Sequence, residues 1–237
     1  MKPILESVCI TGMGIAAPLG HSPDDLFDAL ADGQSAVSIV ESFDTAVFPC
    51  RVGGQVTDFR AREWVSNRKN LKLMSDAVRL GLAGVKRAWI DASLEGAEVS
   101  PSRLGIFVGA GTAVGRTQDL LPAIQLATTD EGFDTGKFGA EGMHVINPLW
   151  LLKGLSNNVL GFASADLNAQ GINQNYCNSG VSGLQAIGEA AWAIAEGRAD
   201  VILAGGSDSA INPLHYTGLG RLRALTRRDG PDAVRPF

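Results

Sequence analysis

Apolar positions along this chain fall into short runs closed by glycine, alternating with longer stretches that repeat at helical spacing. Ser7 to Met13 is apolar enough for a buried strand, ending at Gly12 and Gly14. Ser22-Pro23-Asp24-Asp25 then opens a helix, with a capping hydroxyl, proline in the first turn, and acids against the positive end of the helix dipole. That helix is expected to reach about Asp32 and to stop at Gly33. Gln34 to Trp64 carries only weak strand signals, near Val37 and Val52. From Asn67 to Asp91 the residues Leu71, Met74, Val78, Leu82, Val85 and Ile90 recur at roughly helical spacing and predict one long helix.

Leu104 to Gly109 reads as a buried strand, followed by a glycine-rich turn and a helix near Thr117 to Ala127. Asp130 to Met143 is glycine-rich and is expected to be a mobile loop. Pro148 to Leu160 predicts a helix, Ile172 to Asn178 a strand, Val181 to Glu196 a helix, and Asp200 to Ala204 a strand. This alternation predicts an α/β fold with a mostly parallel sheet covered by helices. The helix Val181 to Glu196 has only Gln185 and Glu189 as clearly polar interior positions, so burial on nearly all sides is expected.

Charge and chemistry narrow the function classes. The formal net charge is -5, which argues against a nucleic-acid surface. The cysteines Cys9, Cys50 and Cys177 are scattered, with no CxxC pair, so neither a disulfide framework nor a zinc site is expected, and a reducing cytoplasm fits. The N-terminus lacks the parts of a signal peptide, and no apolar run reaches the ~20 residues of a membrane span. His21, His144 and His215 are isolated, so no metal is expected. Gly109 to Gly115 is one residue too long for a dinucleotide loop, Gly12-Met13-Gly14 lacks the third glycine, and no cofactor is expected. Ser179-Gly180 with Ser182-Gly183 does not form a GxSxG elbow. Cys177, just before a helix start, is where a dipole can lower a thiol pKa.

The stretch Gly171 to Phe237 supplies a more specific signal. Ile187-Gly188-Glu189-Ala190 on the helix, Asp200-Val201-Ile202-Leu203-Ala204-Gly205-Gly206 on the strand, and the final Arg235-Pro236-Phe237 stand in the order and spacing of one family. VCITGMGIAAPLG (Val8 to Gly20), Met74 to Leu94, RLGIFVGAG (Arg103 to Gly111), Leu155-Ser156-Asn157 and Gly161 extend the match. The chain resembles the β-ketoacyl synthase family, and the resemblance implies the N-terminal half of a thiolase-like fold. It also implies one domain over residues 1–237, without the half that carries two catalytic histidines. Counting back from Ile187-Gly188, the family's nucleophile position falls on Gly180, where Asn178-Ser179-Gly180 replaces Thr-Ala-Cys, and no catalytic residue is expected. Cys177 then lies on the strand, as a buried structural thiol.

That combination is similar to a chain-length factor, the silent partner of a type II ketosynthase, of a kind resembling those of aryl-polyene pathways. The resemblance implies a heterodimer with a full-length ketosynthase, paired through Ile172, Asn173, Gln174, Asn175, Tyr176 and Cys177. It implies a tunnel lined by Gln118, Leu121 and Ile124, and docking of an acidic acyl carrier protein by Arg68, Lys69 and Lys72. The competing readings are an active acyltransferase or condensing enzyme using Cys177, and a fragment without function.

Overall fold

The computed structural model describes residues 7–111 and 117–235; most of the Gly109 to Gly115 turn and the end of the Arg235-Pro236-Phe237 run lie outside them. Helix α1 (Pro23–Ala31) starts as the sequence predicts: Ser22 Oγ accepts from the Asp25 amide at 3.1 Å, and Gly33 follows with φ +68°. The weak signals become a short antiparallel pair, β1 (Val37–Ile39) and β2 (Val52–Gly54).

The expected long helix is two elements. Arg68–Leu73 is a 3₁₀ helix capped by Asn67, Met74 is extended, and α2 (Asp76–Asp91) begins after Ser75, whose Oγ accepts from the Val78 amide. Two residues that prefer capping to helix interior, Asn67 and Ser75, divide the apolar stripe without interrupting its spacing. Then come β3 (Leu104–Ala110), buried throughout, and α3 (Thr117–Ala127).

The stretch expected as a mobile loop is ordered. It holds β4 (Thr128–Thr129), β5 (Gly132–Phe133), α4 (Thr135–Lys137), a π turn (Phe138–Gly142) and α5 (Met143–Val145). Asp134 caps α4, and the Phe133 and Phe138 rings pack 5.5 Å apart, contacts that glycine content does not reveal. The helix expected over Pro148 to Leu160 is also divided, into α6 (Trp150–Lys153) and α7 (Asn158–Leu167) around Gly154. The order closes with β6 (Asn173–Tyr176), α8 (Ser182–Ala195), β7 (Val201–Ser207) and α9 (Pro213–Arg221), the last capped by Asn212 and unanticipated in the sequence.

The strands β6-β3-β7 form a parallel sheet in that order, with Val108 opposite Asn175 and Gly205. On one face α2 and α7 bury Val78, Leu82, Val159 and Ala163 against Leu104, Ile106 and Leu203. On the other face α8 buries Ala186, Ala190 and Ala193 against Phe107. Only that side of α8 is covered among the described residues: Leu184 is 76%, Ile187 43% and Trp192 57% exposed, so burial nearly all round is not reached within this chain.

Ser7 to Met13 is no strand, because it has no ladder partner among the described residues. It lies on α2 instead. The Met13 amide donates to Asp91 Oδ2 at 2.8 Å, Arg87 Nη1 donates to the Ile15 carbonyl at 2.5 Å, and a Cβ on Gly12 or Gly14 would fall inside the α2 backbone.

A second small core joins Val40, Cys50 and Val52 to Tyr216, whose ring meets Phe43 and Phe48 edge-on. The Tyr216 hydroxyl donates to the Val52 carbonyl at 2.7 Å, and burial pushes its pKa up to about 12. The unfolded chain titrates this group near pH 10, so the folded state holds the proton more tightly between about pH 10 and 12. This contribution to stability is whole below about pH 10 and is lost as pH rises through the folded value. Tyr216→Phe should cost about 0.5–1.5 kcal/mol at neutral pH in urea unfolding. Its stability should then fall less steeply above pH 10 than that of the unmodified protein.

Candidate functional site

The edge strand β6 hydrogen-bonds to β3 on one side and has no strand partner on the other among the described residues. Its polar side chains hydrogen-bond back onto the protein. Asn173 Oδ1 accepts from the Ile106 amide at 3.0 Å while its Nδ2 donates to the Ala169 carbonyl at 3.1 Å. Asn175 Nδ2 donates to Ser156 Oγ at 3.3 Å and to Cys177 Sγ at 3.1 Å, and Asn175 Oδ1 is buried without a partner. On the opposite face the Tyr176 hydroxyl donates to Gln174 Oε1 at 2.5 Å, and the ring packs on Phe107. Burial raises the Tyr176 pKa, and the nearby Glu189 adds to the effect. Ile172, Gln174, Asn175 and Tyr176 are half-buried, and Asn173 and Cys177 are exposed.

Cys177 therefore departs from the expectation of a buried thiol within the strand. It sits one residue past the end of β6, where the chain leaves the sheet and neighbouring strands no longer cover it.

Between β6 and α8 the chain makes a tight elbow. Ser182 Oγ accepts from the Asn178 amide at 2.7 Å and donates to the Ser179 carbonyl at 2.8 Å, while Asn178 Nδ2 donates to Gln185 Oε1. Ser179 holds φ +56°, a left-handed conformation that a non-glycine residue adopts only when its surroundings enforce it. The enforcing contact is backbone on backbone: a Cβ on Gly109 would fall inside the Ser182–Gly183 peptide, and Gly183 lies against Gly206. Gly180 projects from this elbow, exposed, with nothing within 4 Å of where a Cβ would stand. The sequence marked Ser182 only as failing the GxSxG pattern; a serine opening a mostly apolar helix is the signal that points to it, and the structure buries it.

Arg68, Lys69 and Lys72 are brought together on the 3₁₀ helix, all exposed, in place of the start of a long helix. Leu121 and Ile124 are exposed on α3, opposite the buried Ala123 and Ala127; Gln118 lies on the same helix, its side chain outside the described residues. These regions meet around α6. It packs on the 3₁₀ helix, Lys153 Nζ donates to Asp119 Oδ2 of α3 at 2.7 Å, and Ser156 receives Asn175 of β6. The sequence did not mark Leu151, Leu152 and Leu155 for the site; they are exposed in and just after α6, on either side in sequence of the lysine that joins α6 to α3. Among the described residues no cluster of His, Cys, Asp and Glu is suited to a metal, and no helix is long and apolar enough to cross a membrane.

A sequence model of the family "Beta-ketoacyl synthase, N-terminal domain" matches residues 5–237. The chain belongs to the β-ketoacyl synthase family. The 3-oxoacyl-(acyl-carrier-protein) synthase 2 of Vibrio harveyi is 33% identical to this ketosynthase-family chain over 232 residues, 97% of the chain and 52% of the relative. The enzyme of the same name from Coxiella burnetii (strain RSA 493 / Nine Mile phase I) is 32% identical, across 97% of the chain and 53% of the relative. The chain thus spans about half the length of the curated relatives it matches. The solved structure titled the ishigamide ketosynthase/chain length factor superposes with a TM-score of 0.79 at 21% identity, covering 96% of this chain and 52% of that one. A β-ketoacyl synthase from Burkholderia phymatum STM815 gives 0.75 at 23%, covering 100% and 54%. At these identities the superpositions establish the fold: the N-terminal domain of a thiolase-like ketosynthase.

Replacing Ser182 by Ala strips the elbow of one donor and one acceptor at a buried position. The variant should lose about 1–3 kcal/mol in urea unfolding. Hydrogen exchange should accelerate at the Asn178 amide before it does in β3.

Proposed function

We propose that this chain is a non-catalytic, chain-length-factor-like subunit. It pairs with a full-length β-ketoacyl-(acyl-carrier-protein) synthase and shapes the acyl tunnel between them. Gly180 carries this reading. It occupies the elbow position that the sequence register assigns to the family's nucleophile, and glycine has no atom to acylate. What such an elbow retains is position: it holds the end of β6 against the start of α8 around a site with no side chain at Gly180. The fold likeness to a structure titled ketosynthase/chain length factor agrees with this reading.

The open edge of β6 is the proposed partner seam. With the asparagine side chains tied inward, its outward N–H and C=O groups remain for a second strand, and a strand ladder fixes register as well as affinity. Gln118, Leu121 and Ile124 are the proposed tunnel wall on α3. Arg68, Lys69 and Lys72 are the proposed contact for an acidic acyl carrier protein; a type II PKS acyl-carrier protein in complex with its ketosynthase is among the structures sharing this fold. An aryl-polyene or related polyketide pathway in the cytoplasm is the proposed setting.

One observation favours a second reading, an active acyltransferase using Cys177. The thiol is exposed, and Asn175 Nδ2 donates to its sulfur at 3.1 Å. Intact mass after incubation with malonyl- and acyl-loaded carrier protein separates the two. The expected result is no adduct; a stable acyl group mapped to Cys177 would sink the chain-length-factor reading.

The seam has its own test. Asn175→Pro removes a backbone donor from the middle of β6 and should abolish co-elution with the full-length ketosynthase in size-exclusion chromatography. Circular dichroism of the variant must stay native for the comparison to count. An unmodified protein that remains a monomer beside that ketosynthase contradicts the proposal.

A further inference from the structure

The segment that carries Arg68, Lys69 and Lys72 is a 3₁₀ helix of six residues, longer than the roughly three or four over which this geometry usually persists. Val65 before it and Met74 after it are buried in the main core, and Leu71 packs against the same core between them. Apolar burial is non-directional, so it holds the segment down without fixing its rotation. Rotation decides where the three cations point, and α2 supplies the directional ties. Arg79 Nη2 donates to the Leu71 carbonyl at 2.9 Å, and its Nη1 donates to Asp76 Oδ1 at 3.0 Å. Lys86 Nζ donates to Ser66 Oγ at 2.8 Å and pairs with Asp166 Oδ2 of α7 at 3.0 Å. Ser66 Oγ donates in turn to that carboxylate oxygen at 3.1 Å.

We propose that Arg79 and Lys86 form a two-point clamp that orients Arg68, Lys69 and Lys72 toward an acidic carrier protein. The inference rests on the carrier-docking reading above and names what sets its geometry. Arg79 and Lys86 stand two turns apart on one side of α2, about 10 Å apart along its axis. Arg79 grips the end of the segment and Lys86 its start, so the segment runs back along α2 and is held at both ends. The Leu71 carbonyl lies in the last turn of the 3₁₀ helix and also accepts from the Met74 amide, at 3.3 Å. The shorter bond comes from a charged donor at the negative end of the helix.

The clamp and the docking cations differ in exposure. Arg68, Lys69 and Lys72 are exposed, whereas the side chains of Arg79 and Lys86 are 22% and 20% exposed and are engaged by Asp76 and Asp166. Arg79 and Lys86 are therefore positioning residues, acting through the segment they hold. Exposed ion pairs are individually weak, so a partner gains most when all three cations already stand in place.

Carrier affinity, read beside stability, tests the clamp. The acyl carrier protein of Vibrio harveyi is immobilised and titrated with the 237-residue protein at low ionic strength, where exposed ion pairs are strongest. Arg79→Met keeps the apolar stem and removes the donors. Ser66→Ala unties the start of the segment and leaves the Lys86–Asp166 pair in place. Each should raise Kd about fivefold, the scale of several exposed ion pairs misplaced together. Arg79→Lys restores a charged donor and should recover most of the loss. The salt dependence of Kd should flatten in Arg79→Met, because fewer cations engage at once; a loss of stability alone leaves that slope unchanged. Hydrogen exchange should quicken at the Asn70 and Met74 amides, which donate to Asn67 and Leu71, and stay unchanged in β3. If Arg79→Met does not fold, Ser66→Ala decides by the same readouts. Suppose Arg68→Glu/Lys69→Glu/Lys72→Glu weakens binding while folded clamp variants keep Kd and salt slope; the clamp is then overturned and docking stands. A loss that Arg79→Lys does not recover, with the salt slope unchanged, marks a merely structural role and overturns the clamp equally. Binding that is absent, or indifferent to the charge reversal, overturns the docking reading and the clamp with it.

Discussion

The head of α8 rests directly on the sheet, and the site geometry depends on that contact. Gly109, Gly183 and Gly206 remove the side chains that would separate helix from strands. The close approach leaves the chain little length in which to turn from β6 into α8, and Ser179 takes the left-handed conformation that this requires. Ser182 then pairs with one amide and one carbonyl of the turn, those of Asn178 and Ser179. A side chain at Gly109 would push α8 off β3 and carry the elbow and the α8 surface with it.

The sheet is built asymmetrically around this contact. Its centre, β3, is buried at every residue, while both neighbours keep one edge without a strand partner among the described residues. At β6 the free edge is polar, with its amides folded back onto the protein; at β7 the free edge opens into an apolar cleft. A free strand edge is a hazard for indiscriminate pairing. Here each edge is qualified differently, one by inward-tied asparagines and the other by two covering helices, so the same sheet distinguishes two kinds of neighbour.

The elements with strong local signals were legible in the sequence. Ser22-Pro23 and Gly33 bounded α1, continuous apolar runs marked β3 and β7, and the alanine-rich stretch marked α8. What was not legible depends on contacts distant in sequence. Val8 to Met13 has a strand's composition, but a strand needs a neighbour, and α2 is what meets it. The stripe from Leu71 to Ile90 keeps its period across the break at Met74-Ser75, because both segments bury the same side while Ser75 caps the second. The order of residues 128–145 comes from Phe133 on Phe138 and from the Asp134 cap, which glycine counting conceals. For the site, register alone located Gly180 beside the elbow, whereas the exposure of Cys177 and the convergence on α6 required three dimensions.

The empty space above Gly180 bears on how this chain relates to its family over time. No neighbour crowds a Cβ there, and its φ lies outside the left-handed range that favours glycine. The fold therefore does not demand glycine at that position. A glycine codon of the form GGT or GGC is one base from a cysteine codon, and a thiol at the elbow would meet no packing obstacle. Neither the packing nor the backbone at position 180 selects glycine, so the stability of the fold leaves that residue open to change.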